Sequence, residues 1–149
     1  MKSYFFSTTS HLENPIEEIF QFFSNAENLS RVTPPHLKFE ILTSLPIEMK
    51  KGTLIEYRLK IHHLPVYWQT EITVWEPPFR FVDVQLKGPY RKWVHEHKFE
   101  KMRAGTQMTD LVEYALPGGP FAPIINKIFV GKDIKKIFSF RGNIFREIF

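Results

Sequence analysis

The sequence contains no cysteine. A disulfide framework of the kind found in small secreted proteins is therefore excluded, and no thiol is available as a nucleophile or a zinc ligand. The N-terminal region lacks the continuous apolar segment of a signal peptide, and no apolar run approaches the roughly 20 residues that cross a bilayer. We therefore expect a cytoplasmic protein without a transmembrane segment.

Sequence motifs of several common functions are also missing. There is no glycine-rich phosphate loop, zinc-finger spacing, His-Glu-x-x-His or Gly-x-Ser-x-Gly sequence. The net charge is a modest +4, and the basic residues form no dense stripe with interleaved aromatic residues. We expect no nucleic-acid binding, whereas the small positive excess suits an anionic ligand or an anionic membrane surface.

Aromatic residues are abundant, with 15 Phe, 3 Trp and 5 Tyr in 149 residues. A chain of this length buries a sufficient core without metal or disulfide bonds, so we assign residues 1–149 to a single domain. The aromatic content indicates either a densely packed core or the wall of a large apolar cavity.

Apolar periodicity gives the order of secondary structure. An apolar run at the N-terminus predicts a first strand, and Asn14 before Pro15 predicts the start of a helix with Asn14 as its N-cap. A second short helix follows Asn25. Over residues 37–114, apolar and polar residues alternate in runs that are separated by turn signals. This pattern is typical of an antiparallel meander.

The chain after Pro120 reads as a long amphipathic helix in which Arg141 lies in the middle of the apolar stripe. A guanidinium keeps its proton, so Arg141 needs an anionic partner or water. Either an internal carboxylate or an acidic ligand group meets this need; the internal candidates are Asp83, Asp110 and Glu113. At the start of the helix a different face is apolar, which predicts either a kink at Gly131 or a separate surface formed by Ile124, Ile125, Ile128 and Phe129.

Two segments with a two-residue periodicity flank a Gly88-Pro89 turn signal. This pattern predicts a β-hairpin from Phe81 to Phe99. In the second run, alternation places aromatic and imidazole side chains on one face and mostly charged side chains on the other. The face that we expect to point inward carries Trp93, His95, His97 and Phe99.

The length of the turn decides what lies opposite these residues. A three-residue loop places Asp83 opposite His95, Phe81 opposite His97 and Gln85 opposite Trp93, whereas a two-residue loop puts aliphatic residues there. We favour the three-residue loop because Pro89 cannot adopt the positive φ of the common two-residue turns. In this register Asp83 orients His95.

His95 and His97 also have the spacing at which two imidazoles on one strand point the same way. A metal site needs a third ligand, which Asp83 or Asp110 supplies only in a favourable register. Two histidines alone are a motif of low specificity, so we expect no metal and no cofactor. We interpret the pair as hydrogen-bonded pocket residues or as a purely structural pair.

The order of strand, two short helices, six-strand meander and long C-terminal helix resembles the helix-grip superfamily of START-related and birch-pollen-allergen-like proteins (SRPBCC). The local sequence is similar to the bacterial ligand-binding branch at Trp68, Thr70, Ile72, Phe81, Asp83, Gln85, Gly88-Pro89-Tyr90, Trp93, His95, His97, Phe99, Gly105-Thr106, Asp110, Glu113, Tyr114, Pro117 and Phe138 to Arg141.

The resemblance implies an α+β fold in which a curved antiparallel sheet of about seven strands wraps around the long helix and encloses a cavity. The superfamily includes lipid carriers, quinone-binding proteins, polyketide cyclases and hydrolases, so the fold alone does not determine the activity.

We expect the chain to bind a hydrophobic small molecule that is lipid-like, aromatic or polyketide-like and has a polar or anionic end. Alternatives are a cyclase/aromatase- or hydrolase-type enzyme with His95 or His97 as general acid or base, and a module that docks on a partner or transiently on a membrane. The sequence does not define an oligomeric state. The expected ligand-binding residues are Trp68, Phe81, Asp83, Gln85, Trp93, His95, His97, Phe99, Asp110, Tyr114, Phe138 and Arg141.

Overall fold

The computed structural model describes residues 2–148. Its strands are β1 (Tyr4–Leu12), β2 (Glu40–Ile41), β3 (Leu54–Ile61), β4 (Leu64–Glu76), β5 (Arg80–Lys87), β6 (Lys92–Lys101) and β7 (Thr106–Ala115). They form one antiparallel seven-stranded sheet in the order β1-β7-β6-β5-β4-β3-β2. The expected α+β architecture is confirmed.

Helical segments connect β1 to β2. The helix α1 (Ile16–Phe23) is followed by 3-10 turns at Ala26–Leu29 and Pro35–Leu37. The buried face of α1 is formed by Ile16, Ile19, Phe20 and Phe23, as helical spacing predicts.

The predicted N-cap of α1 is wrong. Pro15 takes the N-cap position, and the Asn14 side chain instead donates a hydrogen bond to Glu18 Oε1 at 3.1 Å. The Asn14 carbonyl accepts a hydrogen bond from Thr106 Oγ1 at 2.8 Å, which ties this corner to β7. Asn25 caps the next segment, which is a 3-10 turn rather than an α-helix.

The C-terminal segment changes its helical geometry along its length. After a 3-10 turn at Gly119–Phe121 come α2 (Ala122–Ile125), a π-helical turn at Asn126–Val130 and α3 (Gly131–Ile148). A π turn contains more residues per turn than an α-helix and therefore rotates the apolar face. The sequence predicts different apolar faces before and after Gly131, and in the structure this π turn separates the two segments.

Two hydrophobic clusters border the space between the sheet and α3. The α1 cluster consists of Leu12, Ile16, Ile19, Phe20, Phe23, Val32, Phe81, Phe99, Met108 and Phe145. The α2 cluster consists of Val112, Tyr114, Leu116, Ala122, Ile134 and Phe138. Side chains from both clusters, among them Phe23, Phe81, Ile134 and Phe138, also line the cavity described below.

Several apolar residues of the C-terminal segment remain exposed: Ile124 by 58%, Ile128 by 49% and Phe129 by 54%. They do not cover the sheet, and docking through them stays a prediction. Within residues 2–148, no helix is long and apolar enough to span a bilayer.

Candidate ligand cavity and its polar wall

A cavity of about 340 Å³ lies between the sheet and α3. Trp68 is the centre of an aromatic group in its wall, with ring-centroid distances of 5.8 Å to Tyr57, 5.5 Å to Tyr90 and 5.4 Å to Trp93. Aliphatic side chains complete the apolar wall, including Ile55, Leu59, Ile61, Ile134 and Ile137. Concave, largely apolar surfaces with few polar groups are typical of small-molecule sites.

Most of the residues predicted to contact a ligand lie in this wall. Those that line the cavity are Trp68, Phe81, Asp83, Trp93, His95, His97, Phe138 and Arg141.

The remaining predicted residues lie elsewhere. Phe99 is in the α1 cluster, and Tyr114 is in the α2 cluster, where its hydroxyl donates to Asn126 Oδ1. Asp110 lies behind His95 rather than in the cavity wall. Gln85 binds the hairpin loop: its side-chain amide donates to the Tyr90 carbonyl at 2.7 Å and accepts from the Tyr90 N–H at 3.2 Å.

Sequence reasoning missed Tyr57 and Tyr90 as cavity residues. Alternation along β3 places Tyr57 inward, but that pattern does not distinguish a core side chain from one that lines a void. Tyr90 lies in the loop before β6, where alternation gives no information. Its ring reaches the wall because Gln85 holds its backbone.

The favoured register of the hairpin is confirmed. Phe81 pairs with His97, and Asp83 pairs with His95. The ladder ends at Val84 and Val94, so the predicted pairing of Gln85 with Trp93 does not form.

The expected hydrogen bond between Asp83 and His95 is wrong. Each carboxylate binds the histidine diagonal to it: Asp83 Oδ2 lies 2.7 Å from His97 Nε2, and Asp110 Oδ1 lies 2.7 Å from His95 Nε2. The directly opposed pairs are longer, at 3.9 Å from Asp83 Oδ2 to His95 Nδ1 and 3.4 Å from Asp110 Oδ1 to His97 Nδ1. Diagonal neighbours on adjacent strands lie within reach of long side chains, so register alone does not fix the bonded pair.

These four residues form a compact polar cluster. The two imidazole rings stack at a centroid distance of 3.7 Å, and Phe81 stacks on His97 at 4.0 Å. His95 and His97 are 6% and 5% exposed, and Asp110 is 2% exposed, so the cluster is buried except near Asp83. We name Asp83, His95, His97 and Asp110 the Asp-His cluster.

Burial and neighbouring charges set the protonation of the cluster. Burial, reinforced by the adjacent His95, lowers the pKa of His97 to about 4, although Asp83 opposes the shift. Burial would raise the pKa of Asp110, but the charge of Arg141 and the hydrogen bond with His95 outweigh it and hold that pKa well below its usual range. The pKa of Asp83 is lowered as well, because the His97 hydrogen bond and nearby positive charge outweigh its desolvation. At neutral pH both carboxylates are ionised and His97 is neutral.

Arg141 borders the same wall from α3. Its guanidinium carbon lies 5.1 Å from the ring centre of Phe138 and 5.7 Å from that of Phe145. Among the described residues its buried Nε–H has no hydrogen-bond acceptor. Glu113 is no partner, since it binds Lys92 at 2.7 Å. Asp110 feels the positive charge of Arg141 without a direct ion pair within residues 2–148.

A contact joins the β3–β4 turn to the start of α3 at the rim of the lining. The Nε2 atom of His62, an exposed residue of that turn, lies 2.8 Å from Asp133 Oδ2 of α3, and both residues line the cavity.

Comparison with known proteins places this arrangement in a family. Residues 12–138 match the family described as polyketide cyclase / dehydrase and lipid transport. The chain belongs to this family, and the helix-grip fold expected from the resemblance is confirmed. No curated protein matches the sequence.

Solved structures share the fold over nearly the whole chain. A START superfamily protein from Mycobacterium smegmatis is 12% identical, with a TM-score of 0.73 over 97% of this chain and 99% of that chain. The Zhui aromatase/cyclase from Streptomyces sp. R1128 is 12% identical, with a TM-score of 0.71 over 99% and 97%. Ara h 8.0201 is 15% identical, with a TM-score of 0.67 over 98% and 99%. At these identities the likeness shows the fold alone.

Proposed function

We propose that the protein binds an apolar molecule, lipid-like, aromatic or polyketide-like, whose polar end accepts a hydrogen bond near Arg141. The supporting observation is that the buried Nε atoms of Arg141 and Trp68 (Nε1) have no acceptor among the described residues, although both residues line the cavity. A buried donor without a partner costs about 1–3 kcal/mol. A ligand acceptor at these donors would remove that cost.

The charges of the Asp-His cluster favour a neutral acceptor, such as a carbonyl, over a carboxylate. In the protein without a bound ion, Arg141 carries one permanent positive charge, whereas Asp83 and Asp110, which bind His97 and His95, carry two negative charges. A further full negative charge would be repelled in a region of low dielectric constant.

Three probes of similar shape test this proposal: 2-acetylnaphthalene, 2-isopropenylnaphthalene and 2-naphthoate bring a ketone, a hydrocarbon group and a carboxylate to the same position. We expect equilibrium dialysis to show about tenfold tighter binding of the ketone than of the hydrocarbon, the worth of one hydrogen bond. Arg141→Met removes that preference, while Arg146→Met, on the exposed side of α3, retains it.

Equal binding of ketone and hydrocarbon by the unmodified protein would refute the role of Arg141, as would a preference that survives in Arg141→Met. Tightest binding of the carboxylate would show that the ligand end is anionic instead. No binding of any probe would refute the apolar cavity as the binding site.

A second candidate function is that of a cyclase/aromatase- or hydrolase-type enzyme, supported by the two His-Asp hydrogen bonds at the cavity wall. Neutral His97 is in the protonation state of a general base. However, the Nε2 atom of each ring is already hydrogen-bonded to a carboxylate at 2.7 Å, which leaves only the Nδ1 atoms for a substrate. Product formation that falls about 100-fold in His97→Gln would reverse this ranking.

A further inference from the structure

Asp83, His95 and His97 each present one ligand atom, and these atoms lie within 4.8 Å of one another. All three residues line the cavity. We propose that they bind a divalent first-row transition-metal ion of the Zn²⁺ class through His95 Nδ1, His97 Nε2 and the Asp83 carboxylate. Two imidazoles and one carboxylate are a ligand set that such ions prefer.

The donors and acceptors of the Asp-His cluster are better matched with a cation than without one. A neutral imidazole has one N–H and one lone pair. If both rings are neutral and both Nε2 atoms donate to their nearest carboxylates, the His97 Nδ1 lone pair faces Asp110 Oδ1 at 3.4 Å, whereas His95 Nδ1 lies 3.9 Å from Asp83 Oδ2, beyond hydrogen-bond distance. Lone pairs that face anions are unfavourable in a buried site.

A bound ion resolves this mismatch. His97 then carries its proton on Nδ1, which faces Asp110 at 3.4 Å, and His95 keeps its proton on Nε2, which faces Asp110 at 2.7 Å. The remaining lone pairs, on His95 Nδ1 and His97 Nε2, belong to the two nitrogens nearest Asp83 Oδ2, at 3.9 Å and 2.7 Å.

Asp110 is the supporting residue in this arrangement. Histidines that bind metals almost always donate their second N–H to a carboxylate, a carbonyl or water, which fixes the tautomer and the ring orientation. Here one buried carboxylate serves both histidines. The charge of Arg141 favours the ionised form of Asp110.

Binding requires the two rings to turn toward the ion, because they now stack at 3.7 Å with an angle of 26° between their planes. Bonds of 2.0–2.2 Å to a tetrahedral ion separate neighbouring ligand atoms by about 3.3–3.6 Å. The distances from Asp83 Oδ2, 2.7 Å to His97 Nε2 and 3.9 Å to His95 Nδ1, bracket this range. Three protein ligands leave one coordination position open toward the cavity, as in catalytic rather than structural zinc sites.

The test uses metal alone and is therefore independent of any organic ligand. Protein without a histidine tag is stripped with EDTA and titrated with Zn²⁺ by calorimetry and with Co²⁺ by visible absorption. We expect one ion per folded chain, with Co²⁺ bands of a four- or five-coordinate N/O site that vanish on unfolding. Mg²⁺, which prefers oxygen ligands, should not compete.

Variants identify the ligands. Asp83→Asn and His97→Gln should abolish stoichiometric binding, and Asp110→Asn should weaken it about 10–100-fold. A histidine outside the cavity is the matched control: His11→Gln, at an exposed position of β1, should bind as the unmodified protein does.

The proposal fails if the folded unmodified protein binds no stoichiometric Zn²⁺ or Co²⁺. It also fails if binding persists in Asp83→Asn or His97→Gln, or if His11→Gln loses the ion. Because the Co²⁺ spectrum of the unmodified protein reports the ligand set directly, an unstable variant does not leave the question open.

Discussion

At the scale of single residues, His97 is the group that couples folding to pH. Its pKa of about 4 in the folded protein lies below the ordinary value of 6.5. Between these values the unfolded chain binds a proton that the folded chain does not, so stability falls as the pH drops through this window. We expect metal-free protein to lose roughly 2–4 kcal/mol between pH 7 and pH 4.

Urea unfolding at several pH values measures this loss, and His97→Gln should flatten the curve over the same range. Asp83 and Asp110 contribute little over this range, because their pKa values are lowered in the folded protein and their contribution is lost mainly as the pH falls through the ordinary 3.8. A slope between pH 6.5 and 4 that is unchanged in His97→Gln would contradict the assignment.

The residues of the polar wall were predictable from sequence, but their bonding was not. Alternation along β6 and the preferred turn predict that Asp83, His95 and His97 lie on one face of the hairpin. Which carboxylate binds which imidazole depends on side-chain torsions and strand twist, which leave no trace in a pattern of residue types.

At the scale of elements, the β5–β6 loop is shaped by one side chain. Gln85 forms two hydrogen bonds with the Tyr90 backbone, and a Cβ atom at position 88 would collide with the Gln85 amide, so this close approach requires Gly88. We expect Gln85→Leu to cost about 1–3 kcal/mol in urea unfolding. The control is Gln107→Leu, at a half-buried position of β7 between the buried Thr106 and Met108. This change should alter stability by less than about 0.5 kcal/mol.

The same substitution should affect the cavity, because the position of Tyr90 beside Trp68 depends on this loop. We expect weaker binding of the naphthalene probes by Gln85→Leu. Equal losses of stability in the two glutamine variants would show that the loop does not depend on the two hydrogen bonds of Gln85.

A hydrogen bond between β7 and the C-terminal helical segment holds the π-helical turn against the sheet. The Tyr114 hydroxyl, on β7, donates to Asn126 at the start of that turn. Tyr114→Phe should cost about 1 kcal/mol in urea unfolding. Tyr67→Phe, whose hydroxyl binds Glu56 at the surface, should cost less than about 0.5 kcal/mol. If both changes cost the same, the bond does not anchor the helix.

The helical wheel predicted a change of face near Gly131 but not its cause. Stretching a turn by one residue requires no special residue type, so composition cannot distinguish a π turn from a kink. The N-cap of α1 was missed for a related reason: Asn14 is a good capping residue, but its backbone is held by Thr106, more than ninety residues later in the chain.

At the scale of the whole molecule, stability should reside in the two clusters rather than in the cavity wall. Ile19, in the α1 cluster, is 0% exposed, so Ile19→Ala should cost about 2–5 kcal/mol. Ile137 already borders open space, and its truncation should cost less than half as much. Denaturant midpoints compare the two, and equal costs would mean that the cavity is closed in solution.

The order of elements and the sheet were predictable because each depends on local periodicity and turns. The cavity was not, since a side chain that lines a void and one that packs in a core have the same spacing. The aromatic content left both possibilities open, and the structure contains both: a Phe-rich cluster around α1 and an aromatic group around Trp68.

The placement of the tryptophans gives the protein an optical signal of its own. Trp68 and Trp93 stand edge to face at 5.4 Å in the cavity wall, close enough for their electronic transitions to couple, whereas Trp75 packs beside the α1 cluster. Coupled indoles give paired bands of opposite sign in circular dichroism, and a guest that separates the rings would reduce them. In a Trp75→Phe background, the ultraviolet spectrum of the unlabelled protein would therefore report whether the cavity is filled.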